Sequence, residues 1–181
     1  MNRINSTILA SMICISSALF AGQVAAQDKP AAVSDPLGRF VGNGTCTGSV
    51  LAMGNKAGHP TTGKYSARKV LDDHWVEMRY DEESSAAVPK PFHVVQYFGY
   101  DAAKKHYVSV LVDNSEDSYS TGASAGWNGD SIVFDESSDG KTVSFRDAFT
   151  TGPAGMSSHT GWMKNKSGKW VKTDEESCKN S

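Results

Sequence analysis

The chain has 181 residues, 39% hydrophobic and 21% charged, with a formal net charge of −2. That length suits one domain with enough material for a sizeable core. Charges of both signs are interspersed and no basic stripe occurs, so a surface built to neutralise phosphates is excluded and no nucleic-acid partner is expected.

Residues 1–26 read as a cleaved signal peptide. Arg3 supplies the positive start, Ile8 to Ala21 is a mostly apolar run, and Val24-Ala25-Ala26 sets small residues where a signal peptidase cuts, before Gln27. The run is too short and too rich in serine for a membrane span, and no later segment approaches the roughly 18 apolar residues that a transmembrane segment needs. Cys14 lies inside the apolar run after Met12-Ile13, which lacks the small residues of a lipidation site. The expected location is therefore the periplasm or the outside of the cell.

Discounting the leader removes Arg3 and no acidic residue, which leaves 17 basic side chains against 20 acidic ones and a formal charge of −3. Two cysteines remain, Cys46 and Cys178, and two thiols in an exported chain most often form one disulfide. Closing so long a loop stabilises by about 4–5 kcal/mol in the chain-entropy account. The competing reading, a pair of functional thiols, lacks a Cys-x-x-Cys partner and an adjacent activating base.

In chain order, Gln27 to Asp35 is a Pro/Ala linker and residues 36–181 form the single domain. Arg39–Ala52 is predicted as a glycine-rich first strand, and Gly54–Gly63 as a loop holding His59-Pro60. Lys64–Leu71 is a second strand turned by Asp72-Asp73. His74–Asp81 alternates clearly: Val76, Met78 and Tyr80 share one face, Glu77 and Arg79 the other. After a loop with Pro89 and Pro91 comes the stretch Phe92 to Asp113. It reads as two strands, Phe92–Tyr100 and His106–Val112, joined by a turn too short for a crossover helix, so they are antiparallel neighbours. Tyr119–Trp127, Ser131–Asp135, Thr142–Thr150, Met156–Lys164 and Lys169–Thr173 complete about ten short strands. The tail Asp174–Ser181 reads as polar and loose but for Cys178. With no amphipathic helix, the fold class is all-β: a closed up-and-down antiparallel barrel.

The order LGRFVGNGTCTG, HWVEMRY, FGYDAAKKHYVSVLVD and GWNGD resembles the exported bacterial DUF1579-type proteins, with a lipocalin-like (calycin-type) β-barrel. The matching elements are an early Leu-x-Gly-x-Trp-x-Gly-like opening, a Gly-Tyr-Asp turn and a Lys-x-Tyr strand. Phe40 stands where the tryptophan is expected, and an aromatic plug still fits there. The resemblance spans Leu37 to Cys178 and implies a fold more than an activity. By analogy with lipocalin-like barrels it implies a small apolar ligand.

Gly122-Ala123-Ser124-Ala125-Gly126 spells the nucleophile-elbow pattern, but the elbow needs a following helix and a strand is predicted instead. The small residues are better read as one face of a coiled strand, so no catalytic residue is assigned. The histidines (His59, His74, His93, His106 and His159) form no close ligand pair. His93 and His106, set across the central hairpin, are the candidates for a metal, and the preferred reading is that no metal and no cofactor binds. For His159, a late position suited to an axial haem ligand, nothing in SSHTGW adds support. Asp113–Asp117 lacks the glycine and terminal glutamate of a calcium loop and reads as a solvated hairpin tip. Arg146 is expected outside the barrel, while Asp147 either enters a polar cavity or joins it outside. If a pocket exists, Tyr80, Tyr97, Trp127, Phe145 and Trp162 are the expected walls. The leading function is non-catalytic binding of a small apolar molecule. The alternative is a structural or envelope-interaction protein with a filled barrel; an enzyme acting through the histidines or Ser124 comes third.

Overall fold

The computed structural model describes residues 35–115 and 119–181. The expected signal peptide, all of the linker but Asp35, and the tip of the acidic loop after Ser115 lie outside the described residues. A single helical turn, α1 (Asp35–Gly38), enters eleven strands. These are β1 (Gly42–Val50), β2 (His59–Val70), β3 (Trp75–Glu82), β4 (His93–Asp101), β5 (His106–Asp113) and β6 (Tyr119–Ser124). They continue as β7 (Trp127–Asn128), β8 (Ser131–Ser137), β9 (Phe145–Gly152), β10 (Gly155–Lys164) and β11 (Trp170–Asn180).

The strands pair antiparallel in sequence order, and β11 returns to pair with β1. β6 and β7 share one edge of β8 and are one strand interrupted at Ala125-Gly126, where Gly126 takes a φ of 126° that side chains rarely adopt. The result is the closed ten-strand barrel expected, with no open sheet edge around the ring among the described residues. The central hairpin keeps its predicted turn, with Asp101 opposite His106 and Tyr100 opposite Tyr107.

Several boundaries differ from the sequence reading: β1 is shorter at both ends, β9 begins at Phe145 in place of Thr142, and the largest changes fall at β2 and β11. β2 begins at His59, inside the predicted loop, and includes Pro60. Proline is tolerated there because pairing with β3 starts only at Gly63, so the missing N–H faces no partner. The C-terminal segment is no loose tail. β11 runs to Asn180, and residues 174–180 pair with β1 in continuous register.

Cys46 and Cys178 face each other in that register and are bonded. The disulfide therefore crosses the seam where the ring closes, and it calls for an oxidising environment during folding. Among the described residues no helix is long and apolar enough to cross a membrane.

One end of the barrel is filled. Leu37 and Phe40, carried in by α1, are fully buried. Phe40 stacks on Phe98 with ring centroids 4.3 Å apart and meets Phe149 edge-on at 5.5 Å. Phe134 and Ile132 complete this plug, which fixes where any hollow must lie.

Candidate functional site

Beyond the plug the interior opens into a cavity of about 530 Å³, within the range of small-molecule sites. One side is apolar: Met78 on β3, Val94 on β4 and Leu111 on β5, with Val88 and Phe92 contributed by the loop before β4. The side formed by β9, β10 and β11 is acidic and carries Asp147, His159, Asp174 and Glu176.

Strand register assembles this acidic wall. His159 lies opposite Glu176, and Gly161 lies between Asp147 and Asp174 on the two flanking strands. A side chain at Gly161 would collide with Asp174, since a Cβ built there stands 2.4 Å from its Oδ1. The missing Cβ thus leaves room for the carboxylate. His159 Nδ1 is 3.0 Å from Glu176 Oε2 and 3.2 Å from Asp174 Oδ2, while Nε2 is 3.2 Å from Asp147 Oδ1. Burial alone would lower the pKa of this imidazole. Its hydrogen bonds to Asp147, Asp174 and Glu176 overcome that and hold it well above the usual histidine range. Asp174 is partly buried, which favours its neutral form, but the bond from His159 outweighs this and lowers its pKa. The group is a part-buried histidine ringed by three carboxylates.

Tyr80 reaches the same region from β3. Its ring lies on Gly63, where a Cβ would stand 2.5 Å from the ring, and its hydroxyl is buried with no hydrogen-bond partner among the described residues. Burial, then the charges of Glu176 and Glu82, push this phenol well up. Thr61 Oγ1 is buried and unpartnered in the same cavity. At the mouth, Glu82 Oε2 accepts the Phe92 N–H at 2.9 Å and Oε1 stands 3.4 Å from His59 Nε2.

A second buried carboxylate projects from β8, the strand beside β9. Glu136, 1% exposed, accepts hydrogen bonds from Gln96 Nε2 at 3.0 Å and Ser109 Oγ at 2.8 Å through Oε1, and from Ser120 Oγ through Oε2. Burial and the nearby Asp147 raise its pKa to about 7 despite the serine donors.

Of the five aromatic residues expected to line a pocket, Tyr80 does so. Tyr97 faces away and donates to Glu77 at 2.9 Å. Trp127 packs on Phe40 in the plug beneath the Arg39 guanidinium. Phe145 is 38% exposed at the start of β9, and Trp162 pairs in register with the outward Arg146. Arg146 is outside as expected, bonded to Asp135 and stacked on Trp170, and Asp147 takes the cavity side. His93 and His106 do not meet. An antiparallel hairpin places His106 opposite Asp101 at the turn and leaves His93 at the open end, where its ring bonds Asp81 at 2.8 Å. Ser124 ends β6 with its Oγ accepting the Gly126 N–H at 3.2 Å, and strands follow where an elbow requires a helix.

The residues that sequence reasoning missed are Asp174, Glu176 and Glu136. Asp174 and Glu176 share the strand phase of Cys178, so a cysteine expected to bond a strand residue was a usable signal for both.

The family model of DUF1579, described as a protein of unknown function, matches residues 29–179. Among solved structures, that of Rv2717c from M. tuberculosis has a similar fold. It shares 12% identity at a TM-score of 0.57, over 80% of this chain and 94% of that one. No curated protein matches the chain.

Proposed function

The chain belongs to the DUF1579 family, and for this member we propose non-catalytic binding of a small, largely apolar molecule inside the barrel. The observation that carries the reading is the cavity of about 530 Å³, built from an apolar side on β3–β5 and closed below by the aromatic plug. The filled-barrel alternative describes the plugged end and leaves the other unexplained. A polar end of the ligand would face the β9–β11 wall, and its apolar body would lie against Met78, Val94 and Leu111. We also propose export to the periplasm or beyond. The disulfide supports an oxidising environment, and the leader-like first 26 residues support secretion.

Titration with the uncharged fluorophore N-phenyl-naphthylamine tests the cavity. Saturable one-to-one binding with a blue-shifted emission is expected, and Val94→Trp, which fills the apolar side, should abolish it. No saturable binding, or equal binding by Val94→Trp, would overturn the reading.

A further inference from the structure

We propose that the acidic wall binds one divalent first-row transition ion, held by His159 Nδ1 and the carboxylates of Asp174 and Glu176. This deepens the binding reading above, because the ion would lie in the wall of the same cavity.

The geometry carries it first. Two carboxylate oxygens converge on one ring nitrogen, at 3.0 and 3.2 Å, and a single N–H cannot serve both fully. Around a first-row ion with bonds of about 2.0–2.2 Å, neighbouring ligand atoms stand about 2.9–3.5 Å apart, so the nitrogen-to-oxygen spacings already suit coordination. The three ligand atoms all lie within 4.8 Å of one another. The other ring nitrogen faces Asp147 Oδ1 at 3.2 Å, the carboxylate–histidine arrangement that orients a metal-ligating imidazole.

Two unpartnered hydroxyls point to a ligand independently. Tyr80 is 9% exposed and Thr61 5%; their hydroxyls lie near each other and near Glu176, yet neither completes a hydrogen bond of normal geometry among the described residues. Both line the cavity, and the Tyr80 phenol is close enough to Glu176 to feel its charge. Buried hydroxyls in native proteins are nearly always partnered, and a water or ligand atom on the open side of the ion would serve them.

One nitrogen and two carboxylates, without thiolate, suit Mn²⁺, Fe²⁺, Co²⁺ or Zn²⁺ over soft Cu(I). Three protein ligands leave coordination positions facing the hollow. The cavity's preferred guest is then an apolar molecule with an anionic or Lewis-basic end, whereas the bare carboxylate wall would select a cationic one.

Chelator-treated, disulfide-intact protein is titrated with ZnCl₂ by calorimetry, and proton release is expected on binding because the ligands must be deprotonated to coordinate. One ion per chain and a raised Tm are expected. Glu176→Gln should weaken binding at least tenfold, and Asp147→Asn, acting through the orientation of His159, by about 10–100-fold. If these variants fail to fold, Co²⁺ added to the wild-type chain should shift the ring resonances of His159 paramagnetically. No binding to the folded wild type, undiminished binding by Glu176→Gln, or unmoved His159 resonances would overturn the proposal. The two readings fail separately. Loss of zinc binding with N-phenyl-naphthylamine still bound removes the ion alone, and loss of the fluorophore with zinc still bound removes the apolar guest alone.

Discussion

Glu136→Gln should stabilise the barrel, by an amount that depends on pH in a specified way. The carboxyl is 1% exposed, and its pKa rises from 4.5 to about 7 on folding. A carboxyl with a higher pKa in the folded state holds its proton more tightly there. The fold therefore loses stability as pH climbs from 4.5 towards 7 and bears the whole penalty above that. At 1.36 kcal/mol per pH unit the penalty is about 3 kcal/mol. Glutamine is neutral and keeps the hydrogen-bond pattern. Its oxygen can accept from Gln96 and Ser109 as Oε1 does now, and its NH₂ can donate to the Ser120 hydroxyl. Urea unfolding of both proteins at pH 4 and pH 8, at one salt concentration, measures the difference. The variant should match the wild type at pH 4 and exceed it by up to about 3 kcal/mol at pH 8. An equal difference at both pH values, or a variant weaker at pH 8, would refute the reasoning.

Three further outcomes are expected. Cys178→Ser should lower stability by up to about 4–5 kcal/mol, visible as a fall in Tm, because the bond closes a loop of 132 residues; thermal melts with and without reductant should then coincide for the variant. Tyr80→Phe should raise the stability of the ligand-free protein by about 1 kcal/mol in urea, since it removes a buried hydroxyl without a partner. Phe40→Ala should cost about 3–5 kcal/mol by emptying the plug, measured by the same unfolding curves.

The alternation of His74–Asp81 was enough to orient β3. Val76, Met78 and Tyr80 all point inward, and Glu77 and Arg79 point out. Phe40 was legible as a plug only through the family resemblance, where it stands in the place of an expected tryptophan, and it does stack on Phe98 inside the barrel. The acidic wall was not legible for the opposite reason. Alternation sorts apolar from polar residues, and on β9–β11 the inward positions are themselves polar. His159 has no informative neighbour in SSHTGW because its partners lie on β9 and β11, brought to it by register alone. Tyr97 and Trp162 lie off the cavity for a related reason: size predicts burial, but only strand phase decides which face is buried, and both are on the outward phase.

The seam between β1 and β11 also governs how the protein can be made. A chain that emerges N-terminus first holds β1 with one edge unsatisfied until the last strand arrives. Such an edge is a template for pairing with another chain, and Cys46 stays an unpaired thiol throughout. No N-terminal fragment can contain the cavity, because Asp174 and Glu176 are the final part of its wall. Formation of the most sequence-distant contacts is the step expected to limit folding, so productive folding depends on keeping that edge from other chains until β11 pairs with it.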